Sequence, residues 1–202
     1  MQKISELGNR HFFQYIYFSP SCMRLITLIA FFILSVSTPA QILICRDGLT
    51  SFKSEAPLEL IQAKSGKTSG AIDTKAKTVA FTVEVNSFEG FNSELQKEHF
   101  RENYMETDKF PMAIFKGKII DDVDFTKKGS VTVRAKGIFT VHGTDKEKII
   151  KVKITIKETG VEIETEFDVP LEDHNIKIPK VVNQKIASVI TVHVRAALRP
   201  KA

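Results

Sequence analysis

Chemistry in this chain would have to come from a few histidines, a cysteine, three aspartates and one glycine-lysine-threonine triplet. His99, His142, His174 and His193 stand beyond an N-terminal leader described below. No two of them share the helical or turn spacing that would put two imidazoles on one metal ion. The Gly-x-Ser-x-Gly elbow that exposes a serine nucleophile does not occur. Gly66, Lys67 and Thr68 resemble the tail of a phosphate-binding loop, but the first glycine of that loop would stand where Ile61 does. The stretch Lys64 to Gly70 therefore reads as a hairpin loop. Asp121, Asp122 and Asp124 could offer oxygens to calcium, yet the loop lacks a glycine where such a site must turn sharply, so they read as a solvated turn. The sequence thus predicts no catalytic residue, no metal site and no cofactor. His142 stands apart because it opens a turn with Gly143. It reads as an imidazole tying that turn to a neighbouring backbone, with catalysis or contact to a ligand headgroup as the alternatives.

The elements that would position these residues are strands. From Ser130 to Ile156 the chain reads as one long hairpin. Val131, Val133, Ala135, Gly137, Phe139 and Val141 alternate with mostly polar residues, then His142 to Asp145 turn, then Ile150, Val152, Ile154 and Ile156 alternate with Lys151, Lys153, Thr155 and Lys157. Further strands are expected at Leu49 to Ser54, Leu60 to Ala63, Lys77 to Asn86, from Phe110 through Ile119, Val161 to Val169, and Ala187 to Leu198. Between Ser93 and Met105 the period changes to that of a short amphipathic helix, ending near Asn103 or Tyr104, which would cap an opening. Leu171 to Gln184, with Pro170 and Pro179, is a longer connection. Seven or eight strands, one short helix and no βαβ spacing point to an all-β fold, with an antiparallel up-and-down barrel as the solution that leaves no exposed edge.

The first 40 residues read differently. Met23 and Arg24 precede the uncharged run Leu25 to Val36, followed by Ser37, Thr38, Pro39 and Ala40, the pattern of a secretory signal peptide cleaved near Ala40, with Met23 as the preferred start. The apolar run is too short to span a membrane. Residues 41–202 would then form a single domain, in the periplasm or secreted. That domain keeps only Cys45, so no disulfide framework is expected, and the bulky Ile44 before it argues against a lipidated cysteine. The whole sequence carries a net charge of +5. Lys116, Lys118, Lys151, Lys153 and Lys157 sit on polar strand faces opposite Glu162, Glu164 and Glu166, which predicts cross-strand charge pairing on a wet outer surface; no nucleic-acid footprint is expected.

Two stretches resemble the signatures of the YceI-like family. They are Asn103-Tyr104-Met105-Glu106-Thr107-Asp108-Lys109-Phe110-Pro111-Met112-Ala113-Ile114-Phe115-Lys116-Gly117, and Gly137-Ile138-Phe139-Thr140-Val141-His142-Gly143-Thr144-Asp145-Lys146. In the second, Phe139 and Val141 replace two leucines of the family pattern and Asp145 replaces a threonine. The resemblance covers about Gly48 to Leu198. It implies a lipocalin-like eight-stranded barrel of bacterial periplasmic or secreted proteins, some of which hold a polyisoprenoid or another long lipid inside.

Inward parity supplies an apolar lining for such a ligand: Phe81, Val83, Phe115, Val133, Phe139, Val152, Ile154, Ile163, Phe167, Val192 and Val194. Gly117, Ala135 and Gly137 on the same parity are small and would leave room. At roughly 0.8 kcal/mol per CH₂, each isoprene unit can yield about 3 to 4 kcal/mol before ordering costs. The same residues could instead fill the core of a barrel that binds no ligand and serves a structural or partner-binding role. Monomer and homodimer both remain open.

Overall fold

The computed structural model describes residues 42–201, so the expected leader and its cleavage near Ala40 lie outside the described residues. Eight antiparallel strands follow one another around a closed barrel: β1 (Ile42–Glu55), β2 (Leu60–Asp73), β3 (Thr78–Glu84), β4 (Met112–Ile119), β5 (Gly129–Val141), β6 (Thr144–Lys157), β7 (Gly160–Pro170) and β8 (Val189–Pro200). β8 pairs back onto β1, through Phe52 opposite Val192 and Thr50 opposite Val194, so no strand edge is left open. The long hairpin is present as β5 and β6, which pair without a break from Gly129 opposite Ile156 to Val141 opposite Thr144. Its turn is two residues, His142 and Gly143, with φ of 50° and 67°. Two positive φ values in a two-residue loop match the twist of the flanking strands. The Asp145 carboxylate accepts from the Thr140 hydroxyl at 2.6 Å across the hairpin.

Other expectations change. Lys64 to Gly70 is not a loop but the middle of β2, and the first strand is fourteen residues rather than six. The apolar alternation fails because the inward residues there are hydroxyls. Ser65 and Thr68 are almost wholly buried, with Ser65 Oγ 2.6 Å from Ser87 Oγ and Thr68 Oγ1 2.7 Å from Thr50 Oγ1. Paired hydroxyls can be buried at little cost, and the strand continues through them. β1 also shifts register around Gly48, a bulge that breaks its alternation. Gly117 and Gly137 face each other across β4 and β5; a Cβ on either would lie within 2.4 Å of the carbonyl oxygen of Lys136 or Lys116. These glycines let two backbones approach closely rather than simply widening the interior.

Outside, Lys157 pairs with Glu162 at 2.6 Å, but Glu164 is held by Arg195 and His193 from β8, not by a lysine of β6. Exposed pairs of this kind contribute little to stability. The three aspartates do not converge. Asp121 accepts from Arg134, Asp122 from Lys77, and Asp124 from Thr126. Among the described residues no group of histidine, cysteine or carboxylate side chains is arranged to hold a metal ion.

The short turns, 74–77, 120–128 and 158–159, lie at one end of the barrel, where Leu43, Ile72, Ile119, Val133, Ile154 and Leu198 are packed almost free of solvent. Both long connections, 85–111 and 171–188, leave from the opposite end. There the helix α1 (Glu94–His99) starts at Ser93, whose Oγ accepts from the Gln96 amide at 3.2 Å, and runs into a wider turn over Phe100–Tyr104.

Candidate functional site

All eleven residues expected on the inner wall line one cavity of about 500 Å³. Cavities of roughly 300–1,000 Å³ are the usual size for a small-molecule ligand. The wall is built by strand register. Phe81, Phe115 and Phe139 stand side by side on β3, β4 and β5, with Val83 beside Ala113 one step nearer the helix end. Val133 pairs with Val152, and Ile154 with Ile163, nearer the end with the short turns. Phe167 pairs with Val192 and meets Phe139 edge-to-face at 5.5 Å. Val133 and Ile154 are each only 1% exposed, whereas Phe81, Phe167, Val192 and Val194 keep open area although they point inward. That inward area is the cavity surface. Ala135 contributes to the wall, but Gly117 and Gly137 do not.

Several hydroxyls of the wall are satisfied by the protein itself. Besides the Thr50–Thr68 pair, Thr165 Oγ1 donates to the Lys151 carbonyl at 2.7 Å and Ser54 Oγ accepts from the Ala187 amide at 2.9 Å. What remains facing the cavity is mainly hydrocarbon, with the Thr82 hydroxyl and the Tyr104 phenol among the lining groups, a surface suited to an apolar chain. The titratable lining residues Glu59, His99 and Lys185 belong to the connections at the helix end, and burial raises the pKa of the Tyr104 phenol there. Ser93, Leu95, His99 and Lys185 are exposed to solvent and also line the cavity, which marks the mouth between α1 and the 180–186 segment.

Sequence reasoning missed the aromatic collar at this mouth. Phe52 stacks on Phe100 with centroids 5.3 Å apart, and both meet Phe88 and Phe91 within 6.0 Å. Fifteen phenylalanines and no tryptophan were a signal, but these four come from β1 and from both sides of α1, and nothing in their spacing brings them together.

His142 does not line the cavity. Its Nδ1 lies 3.1 Å from the His174 carbonyl oxygen, its Nε2 lies 2.9 Å from Glu106 Oε2, and its ring meets Phe110 edge-to-face at 4.7 Å. The turn thus joins both long connections. Lys109 first, then His142, hold the Glu106 carboxyl below its ordinary pKa through hydrogen bonds. His174 is 1% exposed, with Nδ1 3.2 Å from the Thr144 carbonyl oxygen; its desolvation lowers the imidazole pKa, which favours the neutral ring. Asn175 adds a bond to Thr144 Oγ1 at 3.0 Å. Half of the helix end is therefore latched shut, and the mouth lies in the other half.

The sequence matches the model of the YceI-like domain over residues 52–198. Among solved structures, a polyisoprenoid binding domain from Saccharophagus degradans, implicated in plant cell wall breakdown, is similar with a TM-score of 0.67 at 15% identity, over 80% of this chain and 99% of that one. BcnA of Burkholderia cenocepacia is similar with a TM-score of 0.62 at 13% identity, over 74% of this chain and 94% of that one. At such identities the likeness is one of fold. No curated protein matches the sequence significantly.

Proposed function

Because the chain belongs to the YceI-like domain family and its barrel encloses an apolar cavity with a mouth at one end, we propose that it binds one long-chain apolar lipid, such as a polyisoprenoid, inside the barrel. The observation that carries this reading is the unfilled cavity, because fold alone does not specify function. A barrel whose core was filled would leave no inward area on Phe81, Val192 and Val194. The lining is mostly apolar and its charged groups Glu59, His99 and Lys185 lie at the mouth, so recognition would rest on chain length and shape, and any polar headgroup would stay among those three. We further propose that the protein is exported to the periplasm or the exterior, on the strength of the leader pattern in Met23 to Ala40.

A series of prenols of increasing length tests the binding reading. Burial yields up to about 3 to 4 kcal/mol per isoprene unit before ordering costs, so affinity should rise steeply with each unit and then level off once the cavity is full. Competition against a fluorescent fatty probe would measure this. Affinity independent of length, or no displacement by any prenol, would contradict it.

A further inference from the structure

The mouth is surrounded by apolar side chains that the barrel does not use. Leu58 is 67% exposed, Leu95 60% and Val181 88%. Single exposed leucines and valines are ordinary on protein surfaces. These three come from three separate connections that hydrogen bonds fasten around one opening. The Leu58 amide donates to the Gln184 carbonyl at 2.9 Å, Gln96 Nε2 donates to Glu59 Oε1 at 2.9 Å, and Asn92 Nδ2 donates to the Leu60 carbonyl at 3.0 Å. The turn after β1, the helix α1 and the segment after β7 therefore present their apolar tips at the same end.

Charge distinguishes what could cover this crown. From Ile176 to Ser188 the chain carries Lys177, Lys180 and Lys185 and no carboxylate. Of the acidic side chains nearby, Glu55 pairs with Lys53 and Glu89 holds Lys97 at 2.5 Å and Arg101 at 3.4 Å, while Glu59, Glu94, Glu98 and Glu102 keep their charge on the side of α1, so the basic face of the mouth is the 176–188 segment alone. An exposed apolar tip set among lysines, as Val181 is between Lys177, Lys180 and Lys185, is the pattern of a surface that lies in the headgroup layer of an anionic bilayer.

We propose that the mouth docks on an anionic membrane surface, with Leu58, Leu95 and Val181 entering the interfacial layer and the lysines of the 176–188 segment against the headgroups. This rests on the lipid-cavity reading, because it gives the ligand a dry route: the cavity opening would face the acyl layer, and the chain would pass into the barrel without crossing water.

The protein has no tryptophan, so Val181→Trp supplies a single reporter. With vesicles of equal parts phosphatidylcholine and phosphatidylglycerol, its emission should shift to the blue and be quenched by brominated acyl chains, and the response should weaken in high salt. Vesicles of phosphatidylcholine alone should bind much less. Leu58→Ser in the same background should weaken partition severalfold, and Lys177→Gln or Lys180→Gln should each cost about fivefold. Unchanged emission and no co-sedimentation on either vesicle would overturn docking, as would binding indifferent to Leu58→Ser. Self-association abolished by Leu58→Ser, with no vesicle binding, would assign the crown to a second copy of the chain instead. Mass spectra of the same proteins in vesicle-free buffer keep the two readings apart: a loaded barrel that ignores vesicles refutes docking alone, and a barrel that never loads refutes the cavity reading.

Discussion

Tryptophan in place of Val194 should abolish lipid uptake while leaving the melting temperature of the barrel nearly unchanged. Val194 points inward between Thr50 on β1 and Thr165 on β7, and it keeps open area because its methyl groups face the cavity rather than another wall. An indole there would enter empty space. In a filled core the same change would force side chains off their rotamers and cost roughly 1–3 kcal/mol, so stability separates the two readings of the barrel. Binding should fall below detection in the probe-displacement assay, with Val194→Leu showing a smaller loss. A variant that still binds at parental affinity, or one that unfolds while Val194→Leu binds normally, would count against the cavity as the site.

His142→Ala should do the opposite, lowering stability far more than affinity. The substitution strands the His174 carbonyl oxygen, removes the ring that Phe110 packs against and releases the contact with Glu106. An unsatisfied buried acceptor together with lost packing costs about 2–3 kcal/mol, or roughly 5–10 °C of melting temperature for a domain of this size. His142→Asn should recover part of the loss, because asparagine tolerates the positive φ of this position. Thermal melts of the three proteins, with lipid affinity measured well below each transition, make the comparison. Equal melting with binding lost would move His142 into ligand recognition.

The two cases also show what could be read before the fold was known. The wall was legible because most inward positions of β3 to β8 carry hydrocarbon, Thr165 being an exception, so Phe81, Val133, Ile154 and Val192 declare their face by alternation alone. β2 was not legible, because Ser65 and Thr68 turn inward as hydroxyls and are satisfied by Ser87 and Thr50, residues distant in sequence. Parity also cannot say how much of a wall stays open: Val133 and Val194 are both inward valines that line the cavity, yet Val133 is 1% exposed and Val194 keeps open area. Emptiness is a property of the whole ring of strands. The aromatic collar and the crown of the mouth escaped for a related reason, since Phe52, Phe88, Leu58 and Val181 meet only after three connections have been folded over one end. The role of Gly143 beside His142 was partly visible from the turn, but Phe110 lying over it was not.

The most direct test of the lipid-cavity claim is native mass spectrometry of the protein, purified without detergent and followed by organic extraction and mass analysis of the extract. The expected spectrum shows one long-chain apolar molecule per barrel, with the same species recovered in the extract and absent from the Val194→Trp protein. A clean unliganded mass that does not change after incubation with polyprenyl lipids would contradict the claim and mean that this barrel does not take up such a lipid.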